Sequence, residues 1–265
     1  MSPVGASKLN HYRAGKGEPL VLIHGVGATS EIWLPVIPAL AERFEIIAVD
    51  LPGFGRSAPF ADGLRPTIAN LADAMEALLD ELGLGTVHVA GNSLGGWIAL
   101  ELARRQRART VVAVAPLGLG TDRENRRTRR RINAAHAMAR PLAPIAGPIC
   151  RPAVGRTLVF GLSTARPWRL EASEAASTLR AFVRTPGFPD TLESGLASRA
   201  AGLEEIRCPV TIAWGTRDRI LPFGQADRFL EYIAHAEVRA LDGLGHVPMS
   251  DDPARLAGVI LETAS

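Results

Sequence analysis

The feature that most constrains the fold is a short β-rich run that meets a Gly-x-Ser-x-Gly turn and continues into a helix-forming run. The strand is predicted at residues 87–90, the turn places Ser93 between Gly91 and Gly95, and the helix is predicted to run to about Arg107. A turn this sharp holds its central residue in strained geometry, with the side chain projecting from the sheet edge. Glycine at the flanking positions avoids a collision of a Cβ with the neighbouring strand or helix. The free N–H groups at the helix N-terminus then face the space above the serine, where an oxyanion can develop.

Apolar runs of strand length alternate with amphipathic runs of helix length along most of the chain. Continuous apolar runs are typical of buried parallel strands, and a 3.6-residue apolar period is typical of helices that cover a sheet. Strands are predicted at residues 8–13, 19–23, 44–49, 87–90, 110–114, 209–214 and 237–241. Helices are also predicted at residues 31–43, with Ser30 as the N-cap, and at 67–82, 223–234 and 253–263. The alternation predicts an α/β fold, a doubly wound and mostly parallel sheet with helices on both faces.

Residues 120–202 interrupt this alternation. The stretch has no convincing strand pattern and consists of several helix-forming segments separated by prolines. An all-helical insertion between two strands of a parallel sheet predicts a cap over the carboxyl ends of the strands. We therefore predict a core formed by residues 1–119 and 203–265 and a helical cap, or lid, formed by residues 120–202.

Composition limits the partners of the chain. With 265 residues, 47% of them hydrophobic, one domain with a substantial core is expected. The net charge is only +3, although arginines are concentrated from Arg123 to Arg131. Such a cluster is compatible with binding to nucleic acid or to an anionic membrane, but the low overall charge favours a solvated helix face. We expect a small-molecule substrate, no nucleic-acid partner and no stable membrane association, and the oligomeric state is left open.

The termini and the cysteines bear on the compartment and on metal chemistry. Residues 1–10 lack the apolar core of a signal peptide and no apolar run is long enough to cross a bilayer, so a cytoplasmic protein is predicted. Cys150 and Cys208 lack the spacing of metal ligands. Free buried thiols are favoured over a disulfide.

A base that serves Ser93 should lie in a loop after a strand, because ligands of an open α/β sheet bind outside the carboxyl ends of its strands. Of the six histidines, His246 fits best, since its glycine-containing loop joins the last predicted strand to the last predicted helix. That loop can bring the imidazole back over Ser93. His24 also follows a strand, but we interpret it as a structural residue that ties down its own loop.

The acid should follow a strand and lie between the nucleophile and the base in chain order. Asp218 meets both conditions, because it follows the strand at residues 209–214. The earlier strand, at residues 110–114, is followed by no carboxylate that could serve instead. Asp242 is too close to His246 in sequence to orient its ring, and Asp251 and Asp252 are interpreted as helix N-caps. We therefore expect Asp218 to hold His246 in the correct tautomer and to stabilise the imidazolium ion.

Two backbone N–H groups are candidates for an oxyanion hole. Leu94 begins the helix that follows Ser93, and Val26 lies in the loop after the strand at residues 19–23. One such donor contributes roughly 3 kcal/mol to transition-state stabilisation in known enzymes.

These features, in this order, resemble the α/β-hydrolase fold family over nearly the whole chain. The matching segments are His24-Gly25-Val26-Gly27, the turn at residues 50–57, Gly91-Asn92-Ser93-Leu94-Gly95-Gly96, Trp214-Gly215-Thr216-Arg217-Asp218 and Gly245-His246-Val247-Pro248. The resemblance implies a serine hydrolase with Ser93, Asp218 and His246 as the catalytic triad and Val26 and Leu94 as the oxyanion hole. It implies neither a metal nor an organic cofactor.

Residue identities narrow the chemistry expected within the family. Resemblance to haloalkane dehalogenases or epoxide hydrolases would require Asp at position 93, where Ser stands. We predict hydrolysis of carboxylic esters of small to medium apolar acids through an acyl-enzyme intermediate. Six apolar cap residues are candidates either for the wall of the acyl pocket or for the core of the cap, and none is assigned to the site: Met138, Leu142, Leu158, Phe160, Trp168 and Phe182.

Several alternatives stay open. Hydrolases that cleave carbon–carbon bonds in vinylogous diketones share the Gly-Asn-Ser-x-Gly-Gly turn, although residues 28–29 and Val247 depart from their pattern. Lactones or thioesters are further substrates for the same triad. A non-catalytic ligand-binding member is disfavoured by the intact triad. A dinucleotide-binding interpretation of residues 25–30, with Asp50 on the ribose, leaves the three triad candidates unexplained.

Overall fold

A computed structural model describes residues 8–61 and 63–265. The localisation prediction rests on residues 1–10, and residues 1–7 of that segment lie outside the described residues. Within the described ranges seven strands form one sheet in the order β1-β3-β2-β4-β5-β6-β7. They are β1 His11–Ala14, β2 Glu18–Ile23, β3 Phe44–Val49, β4 Val87–Asn92, β5 Ala108–Val114, β6 Val210–Gly215 and β7 Glu237–Leu241. Only the edge strand β1 is antiparallel to its neighbour. The mostly parallel sheet is thus as predicted.

Eleven α-helices accompany the sheet in the same described ranges. They are α1 Ile37–Leu40, α2 Ile68–Glu81, α3 Leu94–Arg104, α4 Asp122–Leu142, α5 Ala146–Cys150, α6 Ala153–Phe160, α7 Ala172–Arg184, α8 Phe188–Ala197, α9 Ala226–Leu230, α10 Pro248–Asp251 and α11 Pro253–Thr263. None of these helices combines the length and the apolar character that crossing a membrane requires.

Both faces of the sheet are buried. In β2, Val21 and Ile23 join one apolar cluster while Leu20 and Leu22 join the other. This happens because successive side chains of a strand point to opposite faces, and each face here is covered by helices. The carboxyl ends of the central strands are consequently held in a rigid, fully buried frame.

Two predicted helices are shorter in the structure. The helix predicted at residues 31–43 is a 3₁₀ turn, Ser30–Trp33, followed by the single turn of α1. Pro35 and Pro38 remove backbone donors from this segment and so interrupt it. Thr29, not Ser30, occupies its N-cap position. The helix predicted at residues 223–234 is likewise a 3₁₀ turn followed by the short α9.

The helices α4 to α8, here called the cap helices, occupy the chain between β5 and β6. Residues 115–209 contain no strand, which fits the predicted helical insertion. The limits 120–202 for a cap and 1–119 with 203–265 for a core stay a prediction. Helix α4 begins with a complete capping box, in which Thr121 and Glu124 satisfy each other's backbone N–H groups.

Candidate active site

Ser93 lies between β4 and α3 in backbone geometry that few non-glycine residues adopt, with φ of 56° and ψ of −114°. A Cβ at Gly91 would lie 2.1 Å from the Gly95 carbonyl oxygen, and one at Gly95 would lie 2.2 Å from the Ile23 carbonyl oxygen. Side chains are therefore excluded on both sides of the serine. The strain at Ser93 persists because the packed strand and helix overdetermine the turn.

Hydrogen bonds fix this turn to the neighbouring strand and to the loop of His246. The Ser93 N–H donates to the Val114 carbonyl oxygen at 2.8 Å. The Asn92 amide donates to the carbonyl oxygens of Val114 at 3.2 Å and His246 at 3.0 Å. The residue before the serine thereby ties the β4 end to the loop that carries the predicted base.

The predicted acid and base are in direct contact. His246 Nδ1 donates to Asp218 Oδ2 at 2.6 Å, and both side chains are buried. The other carboxylate oxygen of Asp218 accepts from the N–H groups of Ile220 and Leu221, each at 2.8 Å. Because both oxygens are engaged, the carboxylate is held in one orientation, and an acceptor at Nδ1 leaves Nε2 as the basic nitrogen of a neutral ring.

Asp251 holds the loop of His246 against the cap helices. Its buried carboxylate accepts from the N–H groups of Gly245 at 2.7 Å, Ala165 at 2.9 Å and Arg166 at 2.7 Å. Our interpretation of Asp251 as a helix N-cap is therefore wrong, since its acceptors are used by the loop and by the segment after α6. Asp252 does cap α11, where it accepts from Arg255 N–H at 3.1 Å.

The loop with the first predicted oxyanion donor is fastened by His24. Its Nε2 accepts from Leu51 N–H at 3.0 Å, and its Nδ1 donates to the Gly25 carbonyl oxygen at 2.7 Å. Burial lowers the pKa of His24, which favours the neutral ring that this pattern needs. His24 is thus structural, as predicted. Half-buried Val26 follows directly, while Leu94 begins α3 with an N–H that has no acceptor within the helix.

Asp50 organises the turn beneath this loop. Its carboxylate accepts from the N–H groups of Ser30 at 2.8 Å and Arg56 at 3.0 Å and from the Asn10 amide at 2.8 Å. Burial raises the pKa of Asp50, but these hydrogen bonds outweigh it and hold the pKa below its usual value. All of this leaves the carboxylate occupied by the protein itself, which argues against the dinucleotide-binding interpretation.

Comparison with known proteins identifies the family of the chain. The sequence profile of the alpha/beta hydrolase family matches residues 20–259. The chain belongs to this family. An uncharacterized protein of Mycobacterium tuberculosis is 32% identical over 93% of this chain and 75% of its own length. An epoxide hydrolase of the same organism is 33% identical over 72% of this chain and 92% of its own length.

Solved structures share the fold of this alpha/beta hydrolase. The meta-cleavage product hydrolase of Pseudomonas fluorescens IP01 aligns with a TM-score of 0.77 over 97% of this chain and 93% of its own. At 20% identity, this likeness concerns the fold alone.

In this alpha/beta hydrolase the cap helices cover the predicted oxyanion hole closely. A methyl group at Gly27 would lie 2.6 Å from Phe182 Cδ2 on α7, and one at Gly195 on α8 would lie 3.3 Å from Leu94 Cδ1. The hydroxyl of Thr128, on α4, donates to the Ile220 carbonyl oxygen at 3.0 Å. Helix α4 is thereby attached to the loop of the predicted acid.

Near these contacts, the backbone at the N-terminus of α8 touches the backbone of the turn after β3. Gly187 N–H donates to the Gly53 carbonyl oxygen at 3.1 Å. A Cβ at Gly53, whose φ is +79°, would lie 3.0 Å from Gly187 Cα.

The structure separates the six apolar candidates for the acyl pocket or the cap core. Met138, Leu158 and Trp168 are exposed, so they line no enclosed pocket. Leu142, Phe160 and Phe182 pack against the small core of the cap helices, and Phe182 also lies against Gly27 in the loop of Val26. Helix periodicity does not distinguish these cases, because it shows an apolar face without showing which neighbour covers it.

Sequence reasoning also missed the positioning role of Asn92 and the role of Asp251. Asn92 was visible only as part of the turn motif, and nothing in its neighbourhood indicated which carbonyl oxygens it binds. No group of three or more His, Cys, Asp or Glu side chains suited to a metal ion occurs among residues 8–61 and 63–265.

Proposed function

We propose that the protein is a serine hydrolase that cleaves carboxylic esters of small to medium apolar acids. Membership of the family supports hydrolase activity. The observation that carries the serine mechanism is the 2.6 Å hydrogen bond between buried Asp218 and His246, whose loop is tied to the residue before Ser93. A solvent-excluded pair of this kind, next to a strained serine at a helix N-terminus, matches the requirements of nucleophilic acyl transfer.

In the proposed mechanism Ser93 Oγ attacks the carbonyl carbon while His246 takes its proton. Asp218 stabilises the imidazolium ion, and the N–H groups of Val26 and Leu94 hold the oxyanion. His246 then gives the proton to the leaving alcohol. Water, activated by the same imidazole, hydrolyses the acyl-enzyme and frees Ser93.

The side chains around the predicted oxyanion hole support an apolar acyl group. Val26 and Phe182 pack against the main apolar cluster, to which Leu94, Leu117 and Phe188 belong. Apolar side chains at these positions favour a hydrocarbon group over a charged one, because a charge buried without a partner is costly.

Carbon–carbon bond cleavage is the second candidate, because the chain shares the Gly-Asn-Ser turn with hydrolases of that type. The Asn92 amide is already occupied by two carbonyl oxygens, which supports a structural role for it. Epoxide hydrolysis, the activity named for one relative, is not carried over, since position 93 holds Ser and not a carboxylate.

The test combines labelling with turnover. A fluorophosphonate probe should label the wild type at Ser93 only, and Ser93→Ala should abolish both labelling and hydrolysis of p-nitrophenyl esters while the melting temperature stays unchanged. Esters of graded chain length are run beside a vinylogous diketone and a lactone. Labelling at another residue, or faster turnover of the diketone than of any ester, would contradict the proposal.

A further inference from the structure

Two of the buried polar atoms on the cap helices that have no hydrogen-bond partner, within the part of the chain that the structure describes, lie on side chains that neighbour Phe188. They are Thr191 Oγ1 on α8 and His136 Nε2 on α4. Thr191 is fully buried, with 0% of its surface exposed. Buried polar atoms are nearly always paired in native proteins, so each of these two atoms calls for an explanation.

Thr191 lies on the face of α8 that covers the predicted oxyanion hole. Residues 188, 191 and 195 share one helix face because they are three and four positions apart. Phe188 lies 3.5 Å from the position of a methyl group at Gly27, and Gly195 faces Leu94 in the way described above. Gly27 and Leu94 belong to the two segments that carry the predicted oxyanion donors. The Thr191 hydroxyl therefore lies between the two contacts that α8 makes above the site.

His136 reaches the same region from α4. Its ring stacks on Phe188 with centroids 4.2 Å apart and meets Phe182 edge-on at 5.1 Å. Burial, together with the positive charge of Arg140, lowers the pKa of His136, so the ring is neutral at pH 7. A neutral imidazole offers one donor and one acceptor, as a hydroxyl does.

We propose that Thr191 and His136 form a polar subsite that binds an uncharged oxygen of the substrate, a hydroxyl or keto group a few atoms from the scissile carbonyl. The inference rests on the proposed function, whose site it deepens. Neither side chain carries a full charge, and a buried carboxylate would need a partner that does. The surrounding phenylalanines accept the hydrocarbon that carries the oxygen.

Paired esters test this subsite. One pair is p-nitrophenyl pentanoate and p-nitrophenyl 4-oxopentanoate, which places the oxygen on the acyl group. The other is butyl pentanoate and 3-hydroxybutyl pentanoate, which places it on the alcohol. We expect the wild type to prefer the oxygenated member of one pair, and the pair that shows the preference identifies the part of the substrate that the subsite binds.

Three variants and one control isolate the two side chains. Thr191→Val keeps the shape and removes the hydroxyl, and His136→Phe keeps the stacking on Phe188. Each should lower kcat/KM for the preferred oxygenated ester about tenfold and leave its alkyl counterpart within a factor of two. Thr185→Val is the matched control, since this buried threonine of the same region already donates to the Ala181 carbonyl oxygen at 2.7 Å. Thr191→Ser should restore the preference.

Binding to the Ser93→Ala variant separates this inference from the proposed function. In that background, Thr191→Val should raise the dissociation constant of the oxygenated ester alone, and this measurement does not depend on turnover. The subsite is overturned if the wild type hydrolyses the esters but prefers neither oxygenated one, or if Thr191→Val affects both members of a pair equally. Wild-type protein that hydrolyses no ester, yet shows the selective binding, would overturn the proposed function and leave the subsite standing.

Discussion

The sheet core and the cap helices are packed from different kinds of side chain. Both faces of the sheet bury large aliphatic and aromatic residues, whereas the separate core of the cap helices consists of Ala139, Ala146, Cys150, Ala175, Ala176 and Leu179. The cap helices also leave large apolar side chains in solvent, with Met138 69% and Leu158 81% exposed. Small side chains bury little apolar area, so the cap core contributes far less hydrophobic stabilisation per residue.

The two regions also differ in what holds their functional groups. Ser93 and its neighbours are fixed by the packed ends of the strands, while several attachments of the cap helices to the sheet side are polar. The Glu124 carboxylate pairs with Arg228 on α9 at 2.7 and 3.0 Å, and Asp251 binds the segment at Ala165. We therefore expect substitutions on the sheet side to change chemistry without loosening the fold, and substitutions of polar attachments to change stability.

The largest effect is expected on the sheet side. Asp218→Asn should lower kcat about 10⁴-fold, because an amide no longer holds the imidazole in its working tautomer. The melting temperature should hardly change, since the shape of the side chain is kept. Asp242→Asn, at an exposed residue of the same loop region, is the control. A larger loss for Asp242→Asn in steady-state kinetics would show that the acid is misplaced.

The next effect tests the attachment at Asp251. Asp251→Asn turns an amide NH₂ toward backbone N–H groups and should lower the free energy of unfolding by about 2 kcal/mol. It should also reduce kcat/KM, because Gly245 adjoins His246. Asp252→Asn keeps an N-cap acceptor and should change neither quantity. Chemical denaturation gives the free energy of unfolding of both variants, and steady-state kinetics gives their kcat/KM. Equal losses in the two variants would show that Asp251 does not carry the attachment to the cap helices.

This contrast also separates what the sequence could predict from what it could not. Apolar periodicity predicted the helix Pro253–Thr263 in full and the parallel strands to within two residues at each end, because these elements are largely buried. Turn chemistry and chain order led to Asp218 and His246, which the structure brings into contact. The partners of Asp251 and the orphaned atoms at Thr191 and His136 depend on contacts between distant segments, which a local pattern does not contain.

A smaller effect is expected for the ion pair of Glu124. The hydrogen bond from Arg228, opposed by burial and aided by Thr121, lowers the pKa of Glu124 to about 2. A carboxyl whose pKa is lower in the folded state stabilises the fold above its unfolded pKa of about 4.3, and this stabilisation is lost as the pH falls toward 2. Glu124→Gln keeps the capping box and should cost about 1 kcal/mol at pH 7.

Thermal unfolding from pH 7 to pH 3 measures this difference, which should shrink steadily below about pH 4.5. Glu193→Gln is the control, because Glu193 and its partner Arg129 both lie on cap helices, so this pair does not attach the cap helices to the sheet side. A gap between wild type and Glu124→Gln that does not change with pH would refute the ion-pair explanation.

The smallest effect is expected for the exposed arginines of α4. Arg126, Arg127 and Arg130 are exposed, whereas Arg129 pairs with Glu193 and Arg131 donates to the Arg219 carbonyl oxygen. Replacing the three exposed arginines by Gln should leave kcat/KM for a neutral ester within about twofold, because exposed charges contribute little. A rise in KM confined to anionic substrates, or loss of measurable nucleic-acid binding, would show that this face recognises a ligand.

The contact between Gly53 and Gly187 has a consequence for scans in which every position of this protein is substituted. A methyl group at either position meets atoms of the other segment at 3.0 to 3.2 Å, so each substitution pushes α8 away from the turn after β3. Neither glycine carries a group that reacts with or binds a substrate. An activity-based scan of all positions will nevertheless score both as sensitive, and a stability-based scan will score them less severely. Comparing the two scans distinguishes residues that set the spacing above the site from residues that perform its chemistry.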